Sequence, residues 1–426
     1  MNDIKLILEK PQYVKEALAK KLWDFDPEPL LALSGKRLAL LQEVEANKAE
    51  QNRLSASVPA IKKEGGDPAP IFAKVKALAA ENKAKAKELV SVEAQIKKIV
   101  EELPNIPDED LAAGGKENNT PIGHFGEPHE FPFPIKNHVE LAESLGLIDY
   151  KRAAKISGTG TWIYTNLGAR LEWALLNYFI EAHLADGYEM ILPPHILNYE
   201  SGFTAGQFPK FEEDVFWLED VEPRKFILPT AETALVNLHR DEIIPLEDLP
   251  RKYFAYTPCY RKEAGSYRTE ERGMIRGYQF NKVEMVQYTT EEGSDAAFDE
   301  MVGKAKRLLE GLGLVYQLDK LAAGDCSHSM ARTYDIEVWI PSMGIFKEVS
   351  SVSNARAYQA RRGMCRYRGE DGKLHYCHTL NGSGLATSRV FPALLEQNQQ
   401  ADGSVVIPEP LRKWMGGIEV IKPKGK

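Results

Sequence analysis

PCYRKEAGSYRTEERGMIRGYQFNKVEMVQY, the stretch from Pro258 to Tyr288, decides the reading of this chain. Arg261 and Glu263 stand two apart at the end of an extended run, Tyr253 to Glu263. Phe280, Lys282 and Glu284 alternate along a second run, Tyr278 to Tyr288. Side chains two apart on a strand share a face. Between the runs, Ala264 to Gly273 is polar and punctuated by glycine, so the pattern predicts an antiparallel hairpin with a long loop. One face then carries a guanidinium, an aromatic ring and two carboxylates. Arg261 can fork onto phosphate oxygens, Phe280 can stack on a purine, and a carboxylate can hold an ammonium or a hydroxyl. Such a face suits a nucleoside triphosphate and a small zwitterion.

Working outward, Asp335 to Ser353 reads as strand, Pro/Gly turn and strand, with Phe346, Glu348 and Ser350 on one side of the second strand. Glu348 can there hold a magnesium ion that bridges phosphates. His378 to Arg389 runs from a short strand through glycines into an apolar helical stretch ending near Glu396. The glycines allow close backbone approach, and Arg389 at the helix start can reach a terminal phosphate.

These motifs resemble those of the class II aminoacyl-tRNA synthetases. Phe254 to Glu284 resembles their motif 2, Asn381 to Arg389 their motif 3, and Leu192-Pro-Pro194 their proline-ended motif 1. Within that class the resemblance is to the seryl-tRNA synthetases, supported by Gly206 to Asp214, Pro229 to Glu232, Tyr358 to Arg362 and Asn398 to Asp402, and it extends from Met1 to about Gly417. It implies an α+β chain: an antiparallel-sheet catalytic domain preceded by a long helical-hairpin arm. The expected division is an RNA-binding domain at 1–104 with its arm at about 29–103, a linker at 105–125 and the catalytic domain at 126–426.

Composition is compatible with that division. The chain has 426 residues, 43% hydrophobic and 27% charged, which is that of a soluble globular protein of about two domains. No long apolar run follows Met1, so neither a secretory signal nor a membrane helix is expected. Cys259, Cys326, Cys365 and Cys377 lack the spacing of a disulfide scaffold, which makes the cytoplasm the expected compartment. A zinc set joining Cys326 and His328 to His375, Cys377 and His378 is not favoured, because four-ligand sites draw on closer paired spacings.

The net charge of −8 conceals a basic segment: from Leu31 to Val100 there are 13 Lys and Arg against 8 Asp and Glu, leaving −13 for the rest. Within it Ile71, Val75, Leu78, Asn82, Lys85, Leu89, Val92, Ile96, Ile99 and Leu103 keep strict four-three spacing, a coiled-coil seam. The preceding helix, about Pro29 to Lys62, is less regular, with Leu41, Val44, Leu54, Val58 and Ile61. Gly65-Gly66-Asp67-Pro68 separates the two. Two such helices of about 35 residues project about 50 Å. Asn82 and Lys85 in the seam predict looser packing toward the distal part. The resemblance implies that the arm grips tRNA(Ser) by shape and backbone, with tRNA(Sec) as a further acceptor the family admits. Candidate contacts are Lys48, Arg53, Lys62, Lys63, Lys74, Lys76 and Lys83.

The resemblance also implies the chemistry. L-serine is activated with ATP and Mg2+ to seryl-adenylate, then passed to the 3′ end of tRNA by a homodimer whose motif 1 forms the dimer strand and helix. Arg261, Arg389 and Glu348 would be catalytic. Arg261, Lys262, Glu263, Phe280, Glu348, Val349, Ser350, Ser351 and Arg389 would hold ATP, with Glu348 and Ser351 on the metal. Thr230 and Glu232 would take the serine ammonium, Arg261 its carboxylate, and Glu284 and Ser383 its hydroxyl, with Ala231 and Asn381 also in the serine site. A paralogue that activates serine for a non-tRNA acceptor is the alternative, and a non-enzymatic RNA-binding adaptor is a third reading. Ala323, His328, Thr233 and Val352 depart from the family pattern; all are expected to border the pocket and to bear on amino-acid fidelity.

Overall fold

The computed structural model describes residues 1–128, 130–263 and 273–423. It separates into two compact units. One comprises Asn2–Glu16 with Asp24–Leu103; the other comprises Met1, Ala17–Trp23 and the chain from Pro104 onward.

In the first unit, helices α1 (Glu28–Lys63) and α2 (Ala69–Glu102) pair along their length. The seam explains the pairing. All ten four-three positions of α2 and its C-cap are buried or half-buried, and they meet Leu40, Val44, Asn47, Gln51, Leu54, Val58 and Ile61 of α1, which keep the same spacing. Only near the base does the seam close fully, at Leu30, Leu40, Val92, Ile96 and Leu103, with Val100 buried beside it. Further out it is polar: Lys85 reaches Glu43 at 2.7 Å and Glu81 at 2.6 Å, and Gln51 Nε2 donates to the Val75 carbonyl at 3.2 Å. The turn is set by Gly65, whose φ of 77° is left-handed. Gly66 N–H donates to Ile61 O at 2.9 Å and Gly65 N–H to Lys62 O at 3.3 Å, closing the helix end. At about 1.5 Å per residue, α1 spans about 54 Å.

In the second unit, eight strands form one sheet: β1 (Thr120–Phe125), β2 (Glu189–Met190), β3 (Arg251–Tyr260), β4 (Gln279–Thr289), β5 (Tyr316–Lys320), β6 (Arg332–Ile340), β7 (Ile345–Arg356) and β8 (His378–Ala386). Their order is β1-β5-β6-β7-β8-β4-β3-β2, antiparallel except for the β2–β3 pair. Thr120–Phe125, within the stretch expected as linker, is the edge strand beside β5. Helices α3 (Leu167–Ala185), α4 (Ser294–Gly311) and α5 (Thr387–Gln397) cover one face.

Alternation divides β4. Val283 and Met285 point to the helical layer with Leu171, Phe179, Phe298, Phe391 and Leu394, whereas Val286 and Tyr288 join Ala231, Leu235 and Tyr367 on the opposite face. Fully burying side chains such as Phe391 and Leu394 stabilises by about 1.5–3 kcal/mol each. The helix-covered face is thus the main core. The other carries only a partial core and leaves space for a cavity. The hairpin read as Tyr253–Glu263 and Tyr278–Tyr288 is β3 and β4; the loop residues 264–272 expected between them lie outside the described residues.

Candidate active site

Because Val286 and Tyr288 face away from the helices, so do Phe280, Lys282 and Glu284 on the same parity of β4. These three form one wall of a cavity of about 530 Å³, within the range of small-molecule sites. Register completes it. Glu284 stands opposite Ser383 of β8 and Ala255 of β3, and Asn381 stands opposite Ser353 of β7.

Strand β7 departs from simple alternation. Asp335 pairs with Ser351 and Ile336 with Ser350, but Glu337 pairs with Glu348, so Val349 is an extra residue in a β-bulge. The bulge reverses the alternation. Ser350 lies beside the core residue Ile336 and its hydroxyl donates to Ser383 O at 2.6 Å, so it does not share a side with Glu348 as expected. Glu348 and Ser351 line the cavity together instead.

At one end of the cavity positive charge converges on Glu348. Arg389, in the first turn of α5, donates from Nη1 to the Glu348 carbonyl at 2.6 Å and lies 3.3 Å from its Oε2. Desolvation pushes the Glu348 carboxyl upward, but Arg389 and Arg261 outweigh it and hold it below its ordinary range. Arg261 sits just past the end of β3, its Nε bonded to Pro229 O at 3.3 Å and its guanidinium 5.1 Å from the centre of the Phe280 ring. Glu263 turns out of the extended run, with φ 50°, and pairs with Arg276.

The other end is rich in buried acids and hydroxyls. Lys282 Nζ donates to Thr230 Oγ1 at 2.9 Å and pairs with Glu284, which lies 3.5 Å from the same hydroxyl. Glu232 Oε1 accepts from Gln359 Nε2 at 2.8 Å and Asn381 Nδ2 at 3.1 Å. Burial, then the neighbouring Glu284, push the Glu232 carboxyl up to about 7. One end therefore offers cations and an ionised carboxylate; the other offers paired carboxylates, hydroxyls and amides.

Arg261, Glu263, Phe280, Glu348, Val349, Ser351, Arg389, Thr230, Glu232, Glu284, Asn381 and Ser383 all line the cavity. Lys262, Ala231 and Ser350 do not. Ala231 is buried in the second core, and Lys262 is placed by its backbone N–H on Asp214 O at 3.0 Å. The departures from the family pattern also lie behind the wall rather than in it. Thr233 is buried and its hydroxyl bonds Gln207 at 3.0 Å, Val352 is in the main core, and Ala323 packs with Leu111, Leu321 and Cys326. His328 meets Trp23 edge-on at 5.6 Å; burial pulls its pKa down to about 3, so it packs as a neutral ring.

Sequence reasoning assigns no role to Lys282, Arg276 or Gln359. The parity of β4 could have found Lys282; Gln359 lies in the Tyr358–Arg362 stretch that carries the resemblance, but its reach to Glu232 spans 127 positions that no local pattern shows.

The arm sorts its seven candidates. With the seam positions lettered a and d, Lys36–Glu88 at 2.7 Å and Lys74–Glu50 at 3.0 Å are g–g bridges, and Glu50 also binds Arg53 at 2.7 Å. Lys62, at an e position, lies over Phe72, at e on the other helix, 5.9 Å from its ring centre. Lys48 is also at e, and Lys76 and Lys83 are at b on that side. Among the described residues Lys48, Lys62, Lys76 and Lys83 make no ion pair. Lys63 falls at the outer f position.

Known proteins resemble this chain along its length. A family model described as the seryl-tRNA synthetase N-terminal domain matches residues 1–107, and one described as the class II tRNA synthetase core domain (G, H, P, S and T) matches residues 216–398. The chain is 58% identical to serine–tRNA ligase 2 of Clostridium acetobutylicum over 98% of this chain and 99% of that relative. It is 45% identical to serine–tRNA ligase of Caldicellulosiruptor bescii over 99% and 100%. Among solved structures, that of seryl-tRNA synthetase from Pyrococcus horikoshii complexed with ATP matches with a TM-score of 0.95 and 31% identity, covering 100% of each chain.

Proposed function

The chain belongs to the seryl-tRNA synthetase family of class II aminoacyl-tRNA synthetases, and from that premise we propose how its cavity divides the work of joining L-serine, ATP and tRNA. As an aminoacyl-tRNA ligase it performs two displacements. The serine carboxylate attacks the α-phosphorus of ATP and pyrophosphate leaves; then a terminal ribose hydroxyl of tRNA attacks the carbonyl of the mixed anhydride and AMP leaves. Neither step needs a nucleophile from the protein, so positioning and neutralisation of phosphoryl charge carry the catalysis.

The observation that carries the division is the polarity of the cavity. Arg261, between Phe280 and Pro229, binds the α-phosphate and the serine carboxylate, and Arg389 takes the terminal phosphate. Phe280 stacks on adenine and Glu263 accepts from it, held in place by Arg276. Glu348 and Ser351 are hard-oxygen donors, and an ionised Glu348 fits a magnesium ion entering with the nucleotide. That ion would draw charge from the phosphate oxygens. Thr230 and Glu232 receive the serine ammonium, while Glu284 and Ser383, opposite each other in register, receive its hydroxyl. Lys282 partners Glu284 while serine is absent. Alanine would leave Glu284 with Lys282 alone in place of the serine hydroxyl, a mismatch that a site built to bond a hydroxyl can reject by up to about 10⁴-fold. Threonine is excluded by shape.

The tRNA(Ser) backbone lies on the arm face bearing Lys48, Lys62, Lys76 and Lys83, since the basic residues opposite are engaged by Glu50 and Glu88. tRNA(Sec) is proposed as a second acceptor. Exposed Trp173, Leu192 and Ile196, at 53%, 74% and 52%, support a homodimer contact near motif 1. Four free cysteines support a cytoplasmic location, and among the described residues no helix is long and apolar enough to cross a membrane. A non-tRNA acceptor is not favoured, because relatives named as tRNA ligases match over the whole length, arm included.

Serine-dependent ATP–pyrophosphate exchange, followed by charging of tRNA, tests the assignment. Arg261→Ala is expected to lower exchange by at least about 10²-fold with the fold retained. Full exchange activity in that variant overturns the division of roles between the two ends of the cavity.

A further inference from the structure

Four consecutive carbonyls in the cavity wall, Ser327 to Met330, are held by side chains from outside the sheet. Lys21 Nζ donates to the carbonyl oxygens of Ser327 at 2.8 Å, His328 at 3.3 Å and Met330 at 2.7 Å. Asn105 donates from its backbone N–H to His328 O at 2.8 Å, and from Nδ2 to Ser329 O at 2.9 Å and Ala355 O at 2.8 Å. Both residues are buried. A buried ammonium is costly unless its three protons are used, and here three backbone oxygens use them.

The side chains of that segment turn toward the serine end. Ser327, Ser329 and Met330 line the cavity, and Met330 Sδ lies 3.6 Å from Asn381 Nδ2, whose amide also holds Glu232. Behind it space is tight: Gly206 has φ 75°, and a Cβ there would come within 2.6 Å of Ser329 Cβ. The wall cannot retreat on that side, and on the other its distance is fixed by Lys21 and Asn105.

We propose that Lys21 and Asn105 are positioning residues for amino-acid recognition, holding the Ser327–Met330 wall at a fixed distance from Asn381 and Glu232 and so limiting the room around bound serine. Residues remote in sequence from every catalytic motif thereby set serine selectivity. The inference rests on the assignment of the Glu232–Asn381 end to serine.

The test uses the full-length protein and the variants Lys21→Met and Asn105→Ala in amino-acid-dependent ATP–pyrophosphate exchange, with serine-induced thermal shift as a second readout. The serine KM is expected to rise at least five-fold and discrimination against threonine to fall, with the ATP KM within two-fold of wild type. Asn105→Ala unburies no charge, so it remains informative if Lys21→Met does not fold. An unchanged serine KM and threonine discrimination in folded Asn105→Ala overturns the proposal, as does an ATP KM that rises in step with that for serine. Wild-type exchange that ignores serine would instead overturn the assignment of the pocket on which the proposal stands.

Discussion

Gln359→Met should move the pH dependence of serine use without touching ATP. Gln359 is fully buried; its Nε2 bonds Ala205 O at 2.9 Å and Glu232 Oε1 at 2.8 Å, and its Oε1 accepts from Thr379 at 2.6 Å. It is therefore locked in one orientation, with a donor aimed at the carboxylate assigned to the serine ammonium. Glu232 already titrates at about 7, raised by burial and Glu284 and pulled back in part by Gln359. A hydrogen bond to a charged group is worth about 1.5–3 kcal/mol, and one pKa unit corresponds to about 1.4 kcal/mol. Loss of the Gln359 donor then raises the Glu232 pKa by about 1–2 units.

The sign follows from which form binds. A carboxyl with a raised pKa is protonated below it, so the anion is lost as pH falls through about 7 in the wild type. In the variant the same loss occurs about 1–2 units higher. At pH 7.5 kcat/KM for serine in ATP–pyrophosphate exchange should fall about 3- to 25-fold, the ratio of ionised fractions, and recover as pH rises. The assay is kcat/KM for serine and for ATP between about pH 6.5 and 8.5. An acid limb at the same pH in both proteins refutes the reasoning, and so does an ATP value that falls with the serine value.

Glu232→Gln should abolish serine-dependent exchange yet raise the thermal midpoint at about pH 8, because a carboxyl whose pKa rises from 4.5 to about 7 on folding opposes folding increasingly above 4.5 and in full above about 7; calorimetry at about pH 5 and 8 checks that the gain is larger at the higher pH. Arg389→Ala should lower kcat/KM for ATP by about 10²- to 10³-fold, read in the same exchange assay, since it removes both a phosphate donor and the cation nearest Glu348. Lys48→Ala with Lys76→Ala and Lys83→Ala should weaken tRNA binding and flatten its salt slope by about 2–3 while exchange stays at wild-type level, whereas Arg53→Ala with Lys74→Ala should do much less; filter binding over a salt series distinguishes the two faces.

The parts legible in the sequence are those set by local periodicity. The α2 seam follows the four-three spacing through all ten positions, because two long helices can bury little else than that stripe. The β3–β4 hairpin and its even-numbered cavity residues follow strict alternation. What escaped is long-range. The β1 edge strand lies in a Gly- and Asn-rich stretch that reads as linker until β5 offers it a partner. Gln359, Lys21 and Asn105 act through bonds spanning 127, 309 and 224 positions, which no window of sequence contains.

The Val349 bulge shows most directly why motif and periodicity can disagree. Alternation places Ser350 with Glu348 and turns Ser351 to the core; the resemblance places Ser351 with Glu348, three positions away, which an unbroken strand cannot do. One unpaired residue reconciles them, since Asp335–Ser351 and Glu337–Glu348 are both pairs on the cavity face while Ile336–Ser350 points to the core. A strand that must turn one serine to the core and two oxygen donors to the cavity needs such an insertion, and Ser350 then uses its hydroxyl on Ser383 O, fixing the strand that carries Asn381 and Ser383. The irregularity that periodic reasoning missed is thus the feature that lets one strand serve both ends of the site.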